Sequence, residues 1–227
     1  MLSRLDWDSE FFGLNIGRID WRNNQEPIVL SKEELLDYNL IYVFVHHGQL
    51  VPLNDAKLVD SKVIYRKKII ARTSMHQNVV AYTDSRPNEE LYDLALQSGV
   101  YSRFRLDGNF PAGSYEKLYR RWIEQSVCKV MADDVLCYYD GGKILGMVTV
   151  DVKDNIGSIG LVAVDVTSRG KGVGSVLLSA VDAYFSDKGI SSVEVATQLN
   201  NLTACSWYER NGYKVASVTD IYHLWIH

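Results

Sequence analysis

Proline and cysteine are scarce in this sequence, and long apolar runs are missing from it. Four prolines beside 14 tyrosines, 6 phenylalanines and 5 tryptophans exclude a disordered or collagen-like chain. The three cysteines, Cys128, Cys137 and Cys205, are an odd number in no metal-binding or redox spacing, which argues against a disulfide scaffold. The apolar runs Val43–Val45 and Leu161–Val164 fall far short of the roughly 20 residues that a membrane-spanning helix needs, so no membrane span is predicted.

An excess of positive charge is also absent. The chain has 24 Lys and Arg against 28 Asp and Glu, and this net charge of −4 argues against general nucleic-acid binding. A local basic patch for a phosphorylated small molecule remains compatible with it. The first residues lack the apolar core of a signal peptide, so we expect a cytoplasmic protein. The hydrophobic fraction of 47% is that of an ordinary globular protein.

A polar segment from Thr73 to Asn88 breaks the hydrophobic periodicity of the chain and is the predicted linker. The 227 residues are enough for one large domain or two small ones. We therefore predict a small α/β N-terminal domain over residues 1–86 and a second domain over residues 87–227.

Local patterns predict an alternation of strands and helices in both parts. Before the boundary they predict an irregular loop from Leu5 that runs into a strand at Ile16–Trp21, a helix begun by the capping box Ser31–Glu34, and strands at Leu40–His46 and Leu58–Ile70. Beyond it they predict helices at Asn88–Ser98 and Lys117–Gln125, a hairpin at Asp140–Gly142, a strand at Ser158–Val164, an amphipathic helix after Gly172, a strand at Ser192–Thr197, a helix at Leu202–Arg210, and a closing strand pair at Tyr213–Val218 and Ile221–Ile226.

The turn before the amphipathic helix carries the strongest functional signal, with the sequence Arg169-Gly170-Lys171-Gly172-Val173-Gly174. Glycines let a ligand approach the backbone closely, and the unpaired N–H groups and dipole at a helix start favour a phosphate. A P-loop is excluded because its Gly-Lys-Ser/Thr sequence is missing. A dinucleotide fold would use Glu194, but the antiparallel hairpins before the turn argue against it. A glycine-rich connection without a ligand stays the alternative.

The order of these patterns resembles the Gcn5-related N-acetyltransferase (GNAT) family over about residues 87–227. The matching residues are Val162, Val164, Arg169, Gly172, Gly174, Asn201, Ala204, Tyr208, Gly212 and Tyr213. The resemblance implies an α/β fold with a mixed, mostly antiparallel sheet whose central strands splay apart. It also implies an enzyme that uses acetyl-CoA as cosubstrate and no metal.

The resemblance also implies the site residues. The pantetheine arm is expected to pair with the backbone of Val162 and Val164. The remaining coenzyme-binding residues are expected to be Arg169, Gly170, Lys171, Gly172, Val173, Gly174, Ser175 and Asn201, with the pyrophosphate on the amides of the turn. Tyr208 is expected to act as the general acid that protonates the leaving thiolate; a core aromatic side chain is the alternative. No general base is assigned, because the strand Ser158–Val164 contains no carboxylate.

Four further segments resemble N-acetyltransferases that act on nucleotide-linked 4-amino-4,6-dideoxy sugars. They are Leu5–Gly13, Ser102–Asp107, Trp122–Ser126 and Ala196–Asn201. This resemblance implies that the acceptor is the 4-amine of such a sugar, dTDP-linked, in the biosynthesis of a polysaccharide antigen. It implies direct attack by the amine, without a covalent enzyme intermediate.

The acceptor site has one candidate cluster, formed by Tyr101, Arg103 and Arg105. These side chains suit a nucleotide diphosphate and a stacked thymine, and they equally suit surface solvation and packing. His46 and His47, which are adjacent to each other in the sequence, have no partners at metal-ligand spacing and are interpreted as a solvated pair. Two other functions stay open: a GNAT enzyme for a protein N-terminus or small amine, and a non-catalytic acyl-CoA sensor. A homodimer also stays open.

Overall fold

A single mixed sheet runs through the protein. The computed structural model describes residues 2–22, 30–53, 55–69 and 74–226. Its strands are β1 (Leu2–Arg4), β2 (Ile16–Asp20), β3 (Leu40–His46), β4 (Lys57–Lys68), β5 (Val79–Ala81), β6 (Asp134–Asp140), β7 (Lys143–Lys153), β8 (Ile156–Val164), β9 (Ser192–Gln198) and β10 (Lys214–Trp225). Within these described ranges the strands are ordered β1-β2-β3-β10-β4-β9-β8-β7-β6-β5. Only β2/β3 and β8/β9 are parallel pairs there, so the predicted mostly antiparallel sheet is confirmed.

Helices cover both faces of the sheet. They are α1 (Asp6–Phe12), α2 (Lys32–Leu36), α3 (Glu89–Ser98), α4 (Arg103–Leu106), α5 (Ser114–Val127), α6 (Val173–Asp187) and α7 (Leu202–Arg210). Side chains of α1, α3, α4 and α5 share one apolar core with residues of β3, β7 and β8. Side chains of α6 and α7 share a second core on the opposite face with β4, β7 and β9. The sheet therefore lies between two helical layers.

The predicted boundary at residue 86 does not coincide with a break in the sheet. The last strand, β10, lies between β3 and β4, and β4 continues the sheet by pairing with β9. Strands from residues 1–86 and from residues 87–227 are thus interleaved. The division into two folding units stays a prediction.

The glycines and caps that mark the hairpins and helices behave as their local sequence predicts. Gly141 and Gly142 connect β6 and β7 with φ angles of 57° and 81°, values that favour glycine and match the twist of a hairpin. At α2, the Ser31 side chain accepts the Glu34 N–H, and the Glu34 carboxylate accepts the Ser31 N–H. The predicted hairpin and capping box are confirmed.

The loop predicted for the opening segment is wrong, because this segment forms α1. Trp7 and Phe11, four residues apart, stack with ring centroids 4.9 Å apart, as neighbours on one helix face do. The Ser9 hydroxyl is buried and donates to the Leu5 carbonyl, and Gly13 ends the helix in the left-handed region at φ 66°.

The closing strand pair is also wrong, since Lys214–Trp225 is one strand. Its register against β4 shifts twice, between Val215 and Ser217 and between Ile221 and Tyr222. Such β-bulges interrupt the hydrophobic alternation of a continuous strand. The interruption resembles a turn when only the sequence is considered.

Candidate functional site

The strands β8 and β9 separate halfway along their length. They pair only from Gly157 to Ile159 on β8, and no pairing of described residues joins them beyond that point. The predicted splay of the central strands is confirmed. An opening between two strands leaves backbone groups without ladder partners, which a ligand can satisfy.

The backbone directions along β8 identify which groups face this opening. The Leu161 N–H donates to the Thr149 hydroxyl at 2.8 Å, and the Asp165 N–H donates to the Leu145 carbonyl at 2.9 Å. Both acceptors are on the β7 side. Because backbone groups alternate along a strand, the N–H groups of Val162 and Val164 point to the other side, into the opening.

The glycine-rich turn lies at the end of β8 and begins α6. Gly172 occupies the N-cap at φ 85° without any side chain to cap the helix, and Gly170 has φ 76°. The N–H groups of Val173, Gly174 and Ser175 therefore have no partner within the helix. These residues fit a bound phosphate, because unpaired amides and a helix dipole converge on open space.

Gly174 has a second, structural reason to be glycine. A Cβ atom there would approach the Trp207 ring of α7 to 3.0 Å. The start of α6 and the middle of α7 are therefore in close contact. Tyr208, the next residue of α7, lies beside Trp207, with the two ring centroids 4.8 Å apart.

Arg169 and Asn201 hold the loops of the site. The Arg169 Nε donates to the Val164 carbonyl at 3.0 Å, and its terminal nitrogen donates to the Gln97 side chain of α3 at 3.2 Å. Asn201 caps α7, accepting the Ala204 N–H on its side-chain oxygen at 3.2 Å. Their expected contacts with the coenzyme stay predictions, as do those of the exposed Lys171.

Tyr208 lies on α7, buried among aromatic rings. Its ring centroid is 5.6 Å from that of Tyr65 and 4.8 Å from that of Trp207. Burial raises the pKa of the Tyr208 hydroxyl well above its ordinary value, so this group stays protonated near neutral pH. A protonated hydroxyl can donate a proton, which leaves both the general-acid role and the core role compatible with the geometry.

The three predicted acceptor residues do not form one cluster. Tyr101 and Arg105 are exposed, and the Arg105 guanidinium lies 5.5 Å from the Tyr115 ring centroid. Arg103 is half-buried and stacks instead over the rings of Tyr42, at 5.1 Å, and Phe104, at 4.3 Å.

Arg103 belongs to a polar cluster that the local patterns did not reveal. Its members come from four elements: Tyr42 on β3, Asp60 on β4, Arg103 on α4 and His223 on β10. Burial raises the pKa of the Asp60 carboxyl to about 6, against the opposing effect of Arg103. Polar residues inside predicted strands were the available signal, but sequence spacing does not show that they meet.

Asp107 orients the histidine of this cluster. Its carboxylate lies 2.6 Å from His223 Nδ1 and accepts Trp225 Nε1 at 2.9 Å. Burial alone would raise the pKa of Asp107, but hydrogen bonds from His223, Trp225 and the Asn109 N–H lower it to about 2.

We expect Asp107→Asn to lower the free energy of unfolding in a pH-dependent way. Because the pKa of this carboxyl is lower in the folded than in the unfolded state, its ionised form stabilises the fold at pH values above the unfolded pKa of about 4. This contribution is lost as the pH falls toward 2. The difference between wild type and variant should be about 2 kcal/mol at pH 7 and should shrink below pH 4. Urea unfolding at pH 7, 5, 4 and 3 measures it, and a constant difference would contradict the assignment.

The described residues contain neither a metal-binding group nor a membrane-spanning helix. Among residues 2–22, 30–53, 55–69 and 74–226, no group of three His, Cys, Asp or Glu side chains is placed to hold a metal ion. No helix within those ranges is both long and apolar enough to cross a membrane.

Comparison with known families identifies the class of protein. Residues 89–213 match the model of the Acetyltransferase (GNAT) family. This match covers more than half of the chain, so the protein belongs to that family, and the predicted class of acetyl-CoA-dependent N-acetyltransferase is confirmed. No curated protein matches the sequence.

Solved structures share the fold at low identity. A GCN5-related N-acetyltransferase from Sphaerobacter thermophilus is 16% identical with a TM-score of 0.56, covering 82% of this chain and 59% of its own. A GNAT-family acetyltransferase from Colwellia psychrerythraea is 16% identical with a TM-score of 0.52, covering 82% and 65%. A conserved protein of unknown function from Staphylococcus epidermidis is 14% identical with a TM-score of 0.62, covering 92% and 84%. The first two relatives are thus considerably longer, and their likeness supports the fold alone.

Proposed function

We propose that this protein transfers the acetyl group of acetyl-CoA to the 4-amine of a nucleotide-linked 4-amino-4,6-dideoxy sugar, as dTDP-fucosamine acetyltransferase does. The observation that supports acetyl transfer is the opening between β8 and β9 beside an uncapped, glycine-rich helix start. The four sequence segments given above support the amino sugar. The proposal places the enzyme in a cytoplasmic pathway to a polysaccharide antigen, and the free state of all three cysteines is compatible with that.

In this proposal the coenzyme is held by backbone groups. Val162 and Val164 pair with the pantetheine arm along the open edge of β8. The N–H groups of Val173, Gly174 and Ser175 bind the pyrophosphate, and the exposed Lys171 adds positive charge. Acetyl-CoA supplies an activated acetyl group.

The proposed chemistry needs one proton donor and one oxyanion donor from the protein. The C–N bond forms as the amine attacks, and the C–S bond breaks as the Tyr208 hydroxyl gives its proton to the leaving thiolate. The proton that the amine loses passes through water and restores the Tyr208 hydroxyl, so the net reaction needs no base from the protein. The Val164 N–H, which points into the opening, donates to the thioester oxygen as negative charge develops there. Cys205 takes no part as a nucleophile, because its buried thiol faces the carbonyls of Gln198 and Leu199.

A substrate panel tests the proposal. Coenzyme A release is measured with dTDP- and UDP-linked 4-amino-4,6-dideoxy sugars, a peptide with a free N-terminus and an aliphatic diamine. We expect the highest kcat/KM with a nucleotide-linked amino sugar. Preference for the peptide or diamine would replace the proposed substrate, and coenzyme binding without turnover of any amine would favour an acyl-CoA sensor.

Acetyl-CoA should stabilise the native protein. A ligand present at about 100 times its dissociation constant adds roughly 2.7 kcal/mol to the free energy of unfolding. For a chain of this size we expect Tm to rise by about 5–10 °C. Thermal melting with acetyl-CoA, and with adenine alone as control, measures the shift; an unchanged Tm with millimolar acetyl-CoA would contradict coenzyme binding.

A further inference from the structure

Four buried polar atoms in the cluster of Tyr42, Asp60, Arg103 and His223 have no hydrogen-bond partner among the described residues. They are the Tyr42 hydroxyl, Asp60 Oδ1, Arg103 Nε and His223 Nε2. Tyr42 and His223 are each 1% exposed. A buried polar group without a partner costs about 1–3 kcal/mol of stability, and such groups are rare in native proteins. Four in one place therefore call for an explanation.

The four side chains are held in a fixed arrangement. The rings of Tyr42 and His223 stack with centroids 4.8 Å apart, and the Arg103 guanidinium lies 5.1 Å from the Tyr42 ring centroid. Asp60 lies opposite Ile221 on β10, two residues before His223. Tyr42 packs in one core with residues of α4 and α5, and it lies opposite His223 in the pairing of β3 with β10.

Each unpaired atom of the cluster has a defined role as hydrogen-bond donor or acceptor. Asp107 is ionised and can only accept, so His223 donates from Nδ1. Burial lowers the pKa of His223, which leaves the ring neutral and Nε2 an acceptor. Asp60 Oδ1 is a second acceptor, Arg103 Nε–H is a donor, and the Tyr42 hydroxyl can serve as either. A ligand must present both donors and acceptors to satisfy them.

The cluster adjoins the opening in the sheet. Lys62, two residues after Asp60, lies opposite Gln198 at the splayed end of β9, and the Leu199 N–H donates to the Ser61 carbonyl at 2.8 Å. Protein atoms around the exposed Lys62 side chain, with the Arg103 guanidinium, lower the pKa of Lys62.

We infer that Tyr42, Asp60, Arg103 and His223 bind the hydroxyl-bearing ring of a sugar acceptor, which makes the acceptor a carbohydrate amine. This inference rests on the proposed acetyltransferase function. Neighbouring hydroxyl groups both donate and accept, as the four atoms require. Charges of both signs face the cluster, because Asp8 and Asp60 interact with Arg103 and Asp60 also interacts with Lys62, so a polyol suits it better than a second anion.

The alternative acceptors fit the cluster less well. A peptide cannot bind here by adding a strand to the sheet, one common mode of peptide recognition, because β3, β10 and β4 around the cluster are each paired on both sides. The charged ammonium group of an aliphatic diamine can only donate, so it would leave Arg103 Nε unpaired.

The test removes one unpaired atom at a time. Tyr42→Phe keeps the stacked ring and deletes the hydroxyl, and Arg103→Lys keeps the charge and deletes Nε. Tyr213→Phe is the matched control, because its hydroxyl is also buried and unpaired but packs on the opposite sheet face, against α6 and α7. Steady-state kinetics use the panel amine with the highest wild-type kcat/KM, and Tm is measured on the same preparations.

We expect Tyr42→Phe to raise KM for the amine about 3- to 10-fold and Arg103→Lys to raise it about 10-fold or more, with KM for acetyl-CoA unchanged. Tm should stay equal or rise for Tyr42→Phe, because an unsatisfied group is removed. Tyr213→Phe should leave KM for the amine unchanged.

The outcomes separate the inference from the proposed function. Turnover of a nucleotide-linked sugar with unchanged KM in both cluster variants would overturn the inference alone. Preference for a peptide or diamine would overturn both the sugar substrate and the inference. A lower Tm for Tyr42→Phe, with the KM for the amine unchanged, would show that the cluster has a structural role only.

Discussion

Replacing Tyr208 by phenylalanine should lower kcat about 10²–10⁴-fold while leaving the affinity for acetyl-CoA nearly unchanged. A general acid contributes roughly that factor, equal to about 3–5 kcal/mol of activation free energy. The substitution keeps the ring, so its contacts with Tyr65 and Trp207 should survive. Single-turnover rates with the best amine of the panel, and coenzyme binding by calorimetry, measure the two quantities.

Tyr65→Phe is the matched control for this experiment. The Tyr65 hydroxyl donates to the Glu209 carboxylate at 3.0 Å, and its ring lies beside that of Tyr208. Loss of this hydrogen bond should cost about 0.5–1.5 kcal/mol of stability with little effect on kcat. If Tyr208→Phe behaves in the same way, with turnover within about threefold of wild type, Tyr208 is a core residue and not the acid.

A glutamate in place of Gly172 should abolish measurable acetyl-CoA binding. Gly172 has φ 85° and open space around its Cα, so a side chain there projects next to the helix start instead of into the core. The carboxylate would occupy the position proposed for the pyrophosphate and repel it. Calorimetric titration should show no binding, and the acetyl-CoA-dependent rise in Tm should disappear.

Two variants separate this effect from backbone strain. Gly172→Ala imposes the same unfavourable φ without charge and should bind acetyl-CoA more weakly but measurably. Gly189→Glu places the same charge at the other end of α6, at φ 72° with open space, and should bind normally. Normal binding by Gly172→Glu would move the phosphate site away from this turn.

Local sequence predicted those parts of the fold that depend on neighbouring residues. The hairpin at Gly141–Gly142 and the start of α2 follow from backbone preferences and a capping box within a few residues. The helix α1 escaped prediction because its N-cap, Leu5, offers no capping side chain and its seven residues hold less than two full turns of pattern. The position of β10 between β3 and β4 depends on pairing over long sequence distances, which no local pattern contains.

The candidate site also has one part that local sequence predicts and one part that depends on the fold. Apart from Asn201, the residues proposed to bind the coenzyme form one contiguous motif from Val162 to Ser175, which can be recognised in the sequence. The polar cluster draws Tyr42, Asp60, Arg103 and His223 from four elements, and only the folded sheet brings them together. Of the predicted acceptor residues, Arg103 alone reaches this cluster.

The central place of β10 has a consequence for the order of events during synthesis. The strands β3 and β4 are synthesised early, but one edge of each stays unpaired until β10 has been synthesised. The strand β10 begins more than 140 residues after β4 ends. Until then both strands present open edges that invite association with other chains. We expect nascent chains that stop before Lys214 to depend on chaperones, and the full chain to fold slowly in vitro because its key pairing is so distant in sequence.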